Sequence, residues 1–341
     1  MQNVQLINSS NATVPLKRFY ADENGQIVLF HDSTEVLAPL FEAGVLNERS
    51  IVFLSASWYV SRHVAGTYYK KAIDAAQASV GTRFSVAKNI VIVANSKQEE
   101  GHFREIVPVD IDVIVANNTF LIDTEMFKIK DVDKRWLCAF NAKAYAFKRL
   151  CLSADVPNKV FITYDNAHEE SEGRTERVRL EDYGDSTIFK AIPQEKVSEI
   201  LNQAHVGAIL SEVEGACNAN TEYLLCGLPV VSTPSRGGRD VFYDEHTAII
   251  CEPNATSVAR AVVTAADKLK SGEFSPTEIR RRTLERIEDY RDVFIESLGT
   301  HARRLGIQAS MRDYFNDCIR DNGKLISHRN FWIKDIRRGS P

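Results

Sequence analysis

Two carboxylates, Glu214 and Glu222, stand with seven residues between them in the run Ser211-Glu-Val-Glu-Gly-Ala-Cys-Asn-Ala-Asn-Thr-Glu222-Tyr-Leu-Leu-Cys-Gly-Leu-Pro-Val-Val-Ser-Thr-Pro234. Gly215 to Asn220 are small or polar, so a ligand can approach this backbone closely. A helix starting here would have Asn218 or Asn220 as its cap. It would end at Gly227, where a left-handed residue is often needed. Its free N–H groups and positive dipole end then make a phosphate site. A carboxylate beside a phosphate binds hydroxyls, such as those of a ribose or hexose. Either glutamate alone would read as an ordinary residue, Glu222 as a favourable first-turn acid and Glu214 as a solvated loop. Together the residues read as a site for a nucleotide-linked, phosphate-bearing ligand.

Two further signals point to the same chemistry. Lys143 and Lys148 lie five apart in Asn141-Ala-Lys-Ala-Tyr-Ala-Phe-Lys-Arg149, just past an apolar run. Cations at a strand end can neutralise a leaving diphosphate; the plainer alternative is a solvated, lysine-rich helix start. Ser232-Thr-Pro-Ser-Arg-Gly237-Gly238-Arg239 follows a second apolar run. That Gly-Gly turn would bring more backbone N–H groups to the same pocket.

The elements that must position these groups alternate in type. Strands are predicted over Ile27–His31, Ser50–Ser55, Asn89–Ala94 and Val113–Val115, with helices over Val36–Ala43 and Ala65–Gln77. After a linker from Asn117 to Lys134, strands are predicted over Trp136–Ala139, Lys159–Thr163, Val206–Leu210, Pro229–Ser232 and Ala248–Cys251. Helices are predicted over Tyr145–Ala154, Ser257–Leu269 and from Pro276 onward, with Tyr290, Phe294, Leu298 and Leu305 on apolar spacing. Strands separated by helices imply βαβ units and parallel sheets. In such sheets ligands bind at the carboxyl ends of the strands.

The chain has 341 residues, which suggests two domains because single cores stop growing at roughly 250–300 residues. A hydrophobic share of 44% and a charged share of 26% are ordinary for a globular protein. The net charge of −4 gives no electrostatic case for nucleic acid as a partner. Cys138, Cys151, Cys217, Cys226, Cys251 and Cys318 are far apart and include no CxxC pair, which favours reduced thiols over disulfides or zinc. The N-terminal Met-Gln-Asn-Val-Gln-Leu lacks signal-peptide character, and no apolar run is long enough to span a bilayer. The expected location is cytoplasmic, with at most peripheral contact at the inner face of the membrane.

In combination, these motifs resemble the donor half of the GT-B glycosyltransferases, especially the retaining enzymes of glycosyltransferase family 4 (glycosyl transferases group 1). Glu214 and Glu222, Gly227-Leu-Pro-Val-Val231, the Gly237-Gly238 turn and the basic pair match that pattern, with Lys143 replacing its usual arginine. Asn117 to Phe127 and Asp244 to Pro253 resemble two further family segments, although Ala248 and Ile249 replace the usual glycine and leucine. The resemblance covers roughly residues 113–265.

It implies two Rossmann-like α/β domains facing a cleft, with a C-terminal helical tail packing back on the first domain. The expected boundaries are 1–130 for an acceptor-side domain, 131–300 for a nucleotide-sugar-binding domain, and 301–341 for helices crossing back. By the same resemblance Glu222 would hold the ribose hydroxyls, alongside Asn220 and Thr221. Glu214 would face the donor sugar. Lys143, Lys148, Arg149 and the backbone of Gly215 and Ala216 would take the diphosphate, with Gly237 and Gly238 in support. Lys148 and Glu214 would be the catalytic candidates. No metal or other cofactor is expected, since lysine and helix N-termini replace it. Retention is commonly explained by a front-side displacement in which the leaving phosphate assists the acceptor hydroxyl. Nothing places the two glutamates on opposite sides of a scissile bond as in a glycosidase.

The implied function is transfer of a sugar from a nucleotide-diphosphate sugar to a glycan or lipid-linked acceptor, in cell-surface polysaccharide synthesis. A nucleotide-sugar epimerase or hydrolase on the same fold, or a non-catalytic GT-B partner, are the alternatives. On the acceptor side, His31-Asp-Ser-Thr stands where many relatives carry a glycine-rich loop. Trp58 suits core packing and a ligand-lining role equally, and His63 suits a surface position better. His168 sits in an acidic run that reads as a solvated loop. The basic tail from Lys324 to Arg338, with Phe331 and Trp332, reads as a helix packing back rather than a membrane contact.

Overall fold

The computed structural model describes residues 16–31, 34–164 and 176–320. The acidic run around His168 and the basic tail with Phe331 and Trp332 lie outside the described residues, as do Asp32 and Ser33. The chain divides into two compact units, residues 1–121 with 289–341, and residues 122–288.

The first unit is built on a five-stranded sheet. Its strands are β1 (Leu16–Ala21), β2 (Gln26–His31), β3 (Ser50–Ser55), β4 (Ile90–Ala94) and β5 (Asp112–Val115), side by side in chain order. The pair β1–β2 is antiparallel and the rest are parallel. β4 and, between its terminal serines, β3 are apolar, and both are buried along their whole length, as strands covered on both faces must be. Val52 and Leu54 of β3 join one core with Leu37, Leu40, Ile73 and Phe103. Phe53, on the opposite face, meets Phe294, which packs with Phe120 and Phe315. The C-terminal helical segment therefore closes the second face of this sheet. Residues 62–80 run helically, but Ala65–Lys70 widens to π form.

The second unit holds a six-stranded, wholly parallel sheet. Its strands are β6 (Trp136–Asn141), β7 (Lys159–Thr163), β8 (Ser186–Lys190), β9 (Ala204–Ile209), β11 (Val230–Ser232) and β13 (Ala248–Ile250), in the order β13-β11-β9-β6-β7-β8. A separate two-stranded parallel ladder joins β10 (Val213–Glu214) to β12 (Arg236–Gly237). β7 and β8 lie on one side of β6, and β9, β11 and β13 on the other, so the winding reverses between β6 and β9.

Helix Ala255–Ser271 packs Val258, Val262 and Ala265 inward. Asn254 caps it by accepting from Ser257 N (2.8 Å), and left-handed Gly272 ends it. Helix Pro276–Arg304 then runs from the second unit into the first. Two Rossmann-like α/β halves with a helical tail returning to the first are thus present.

The predicted helix over Tyr145–Ala154 is corrected. Two 3-10 turns, Ala146–Lys148 and Leu150–Ser153, take its place. Tyr145 bridges to Arg177, and Ala146 N donates to Glu176 O (2.9 Å), so this backbone is spent on a neighbouring segment. Arg149 between the turns is left-handed (φ 49°), which breaks any helix through it. β1, β8 and the helices Lys97–Ile106 and Gln194–Asn202 are further elements that the apolar pattern did not single out.

Candidate active site at the strand reversal

Loops leaving β6, β9 and β11 converge at the carboxyl edge of the second sheet, where the reversal between β6 and β9 opens the crevice that ligands of such sheets occupy. Helix Asn218–Leu225 begins beside it. Neither Asn218 nor Asn220 caps this helix: the cap position is Cys217 and makes no side-chain bond. The Asn220 amide instead donates to Arg239 O (3.3 Å). The helix ends as expected at left-handed Gly227 (φ 74°), with Leu228 N donating to Tyr223 O (3.0 Å). A Cβ at Gly227 would lie 2.8 Å from Pro276, a second reason for glycine there.

Both glutamates are buried, and each is engaged from the β6 side of the crevice. Lys148 Nζ contacts Glu214 Oε1 at 2.5 Å, and Ser211 Oγ donates to the same oxygen at 2.6 Å. Burial works against the Lys148 ammonium, but the Glu214 carboxylate holds its pKa above the usual lysine value. Asn141 Nδ2 donates to Glu222 Oε2 at 2.6 Å. Burial raises the Glu222 carboxyl to about 7, and the Asn141 bond opposes that rise. Next to Glu222, the Thr221 hydroxyl and the Asn220 side-chain oxygen are fully buried without a hydrogen-bond partner among the described residues. Lys143 Nζ lies over the Tyr164 ring, 5.6 Å from its centroid.

Two arginines brace the loops. Arg239, only 1% exposed, donates to Ser211 O (2.8 Å), Thr233 O (2.6 Å) and Asp240 (2.6 Å). Arg149 donates to Leu210 O (2.6 Å) and Thr233 Oγ1 (2.8 Å). Gly238 N donates to Gly215 O (3.0 Å), and Glu214 pairs with Gly237 in the two-stranded ladder. The Gly-Gly turn thus fixes the Glu214 loop, and Ala216 is buried within it. Gly237 itself sits at φ 114°, open to glycine and strained for other residues.

Lys148, Arg149, the two glutamates and the Gly-Gly turn therefore come together around one strand reversal, while Lys143 lies against Tyr164 just past β7. Trp58 and His63 belong to the first unit. Trp58 is 51% exposed on the loop after β3. His63 is exposed and lies 3.4 Å from Thr67 Oγ1, one helical turn on. Asn141, Ser211, Tyr223 and Arg239 escaped sequence reasoning. Gly207, a glycine inside a strand, was the available signal for Tyr223: a Cβ there would lie 2.3 Å from the tyrosine ring.

Among the described residues no helix is long and apolar enough to cross a membrane. Residues 146–282 match the family described as Glycosyl transferases group 1. Among curated proteins, a subunit of the human phosphatidylinositol N-acetylglucosaminyltransferase is 31% identical over 106 residues, which are 31% of this chain and 22% of that protein. The match thus spans about a fifth of the relative's length. Among solved structures, Anabaena HepE in complex with UDP has a TM-score of 0.57 at 14% identity, covering 80% of this chain and 78% of its own. Sucrose-phosphate synthase from Thermosynechococcus elongatus scores 0.52 at 14%, covering 86% and 74%. A glycosyltransferase from Rickettsia africae scores 0.52 at 12%, covering 81% of each chain. The fold is that of the GT-B glycosyltransferases, and its segment 146–282 matches Glycosyl transferases group 1.

Proposed function

We propose that this protein is a metal-independent, retaining glycosyltransferase of glycosyltransferase family 4, moving a sugar from a nucleotide-diphosphate sugar to a glycan or lipid-linked acceptor. The observation that carries the reading is the pair of long-range contacts at the β6–β9 reversal, Lys148 with Glu214 and Asn141 with Glu222, beside a helix N-terminus. One carboxylate is matched to a cation and the other is left beside unpartnered polar atoms. That is the division expected for a ligand with a diphosphate at one end and a ribose at the other.

Glu222 accepts from the ribose hydroxyls, with Asn220 and Thr221 alongside. Lys148, Lys143, Arg149 and the backbone of Gly215 and Ala216 hold the diphosphate. Its negative charge draws Lys148 from Glu214, whose oxygens then face the donor sugar. The bond from the sugar anomeric carbon to the β-phosphate oxygen breaks, and its electron pair leaves on that oxygen. The acceptor hydroxyl bonds to the carbon on the same face and yields its proton to the leaving phosphate. Lys148 stabilises the charge that develops there. Trp58 and His63 stand as acceptor-side residues in the first unit.

The family match and the names of the relatives, one belonging to an N-acetylglucosaminyltransferase and one to a complex with UDP, support sugar transfer from such a donor. A role in cell-surface polysaccharide synthesis, at the cytoplasmic side of the membrane, fits this reading. A thermal-shift screen of nucleoside diphosphates and nucleotide sugars, with and without a chelator, tests it. Stabilisation by one nucleotide series in the presence of chelator is expected; binding that requires magnesium would overturn the metal-independent assignment.

A further inference from the structure

Beneath Glu222 the bond from Asn141 is part of a larger grip, which also takes in Tyr223 and which the donor reading leaves unused. Asn141 is the last residue of β6, the strand at the reversal. Its side chain donates to Glu222 Oε2 (2.6 Å), and its backbone N–H donates to the Tyr223 hydroxyl. Tyr223 is fully buried, directly follows Glu222 on the same helix, and packs over Gly207 of β9, where a Cβ would meet its ring at 2.3 Å. Two successive helix residues thus grip one residue of β6, one through its side chain and one through its backbone. The arrangement fixes both the height of the helix and the rotamer of its carboxylate. Among the described residues Asn141 is the one side-chain hydrogen-bond partner of Glu222.

We propose that Asn141 is a positioning residue that sets the nucleotide site's selectivity for a ribose over a deoxyribose, by holding Glu222 Oε2 so that the carboxylate meets the sugar diol edge-on. The inference rests on the donor reading above. A carboxylate accepts two neighbouring hydroxyls only when its plane is fixed; a carboxylate free to rotate accepts one at a time, and then a missing hydroxyl matters less. Asn141 supplies that restraint while touching no substrate itself.

The test uses the full chain and calorimetric titration with UDP, GDP and ADP, followed by the 2′-deoxy form of whichever binds tightest. Wild type should prefer the ribonucleotide by about tenfold or more. Glu222→Gln should lose most of that preference. Asn141→Ala keeps the backbone N–H that Tyr223 grips, so the helix stays in place. It should weaken ribonucleotide binding severalfold and deoxyribonucleotide binding little. In Asn141→Ala/Glu222→Gln the asparagine change should have no further effect. Equal weakening of both nucleotides by Asn141→Ala, or an unchanged preference, overturns the inference while the donor reading stands. A wild-type protein that binds none of the three nucleotides removes the donor reading, and the inference with it.

Discussion

Each of the two sheets buries a glutamate near the carboxyl edge of its parallel strands, and the two are held in opposite ways. In the first unit, Glu99 accepts from Val60 N (3.1 Å) and Asn95 N (2.8 Å), one bond on each oxygen. Around it, Asn95 and Asn118 both donate to Ala56 O, and Asn117 donates to Asn95 O. The edge of β3, β4 and β5 is laced shut by backbone-directed bonds. In the second unit, Glu222 takes a single bond from Asn141, and the polar atoms beside it on the helix have no partner among the described residues. Burial lifts both carboxyls to about 7, so their pKa values alone do not separate them. What separates them is who occupies the oxygens. The Glu99 carboxylate is taken up by main-chain N–H groups, whereas Glu222, held by a single side chain, keeps acceptor sites open for the proposed donor. The sheets differ accordingly, since strand order runs without reversal from β1 to β5 and turns back between β6 and β9.

The largest effect should come from breaking the second edge. Lys148→Ala or Glu222→Ala should lower donor turnover by about a thousandfold in a nucleotide-release assay, in protein that circular dichroism shows still folded. Activity within tenfold of wild type would erase the distinction between the edges. Breaking the first edge should do the reverse. Glu99→Ala strands two buried N–H donors and should cost about 3 kcal/mol in denaturant unfolding, while the folded protein still binds nucleotide.

A pH series sharpens the contrast. With the Glu222 carboxyl raised from 4.5 to about 7, the folded state holds a proton that the unfolded chain has released between those values. The stability from neutral Glu222 is therefore full below 4.5 and is lost as pH rises through about 7. Glu222→Gln, which cannot ionise, should gain on wild type by about 3 kcal/mol between pH 4 and pH 8. Glu99 titrates in both proteins and cancels from the difference. A constant gap across that range would mean that Glu222 is not desolvated. Smallest is Gly207→Ala, whose Cβ must displace the Tyr223 ring and should cost about 2 kcal/mol together with a severalfold loss of nucleotide affinity.

Much of this contrast was legible in the sequence on one side only. Ser50–Ser55 and Lys159–Thr163 appear as strands at their predicted bounds because short β-branched runs between helices leave little choice. Glu214, Glu222, Lys148 and the Gly-Gly turn stand out in the sequence because each lies in a local pattern with its own chemistry. Asn141 and Arg239 were not, because their roles exist only once β6, β9 and β11 are side by side: the partner of Asn141 is 81 residues away in the chain. The helix expected at Tyr145 failed for the same reason, since its backbone is taken by residues 176–178, a pairing no local period encodes. Glu99 was invisible as a buried group because its position in Lys97-Gln-Glu-Glu-Gly reads as an exposed helix start.

The most direct test of the central claim is calorimetric titration of the tightest-binding nucleotide sugar into wild type, Glu99→Gln and Glu222→Ala in the presence of a chelator. If the reversal in the second sheet is the donor site, wild type and Glu99→Gln bind with the same affinity and Glu222→Ala binds at least about a hundredfold more weakly. Binding that survives Glu222→Ala but is lost in Glu99→Gln would contradict that assignment and put the nucleotide in the first unit.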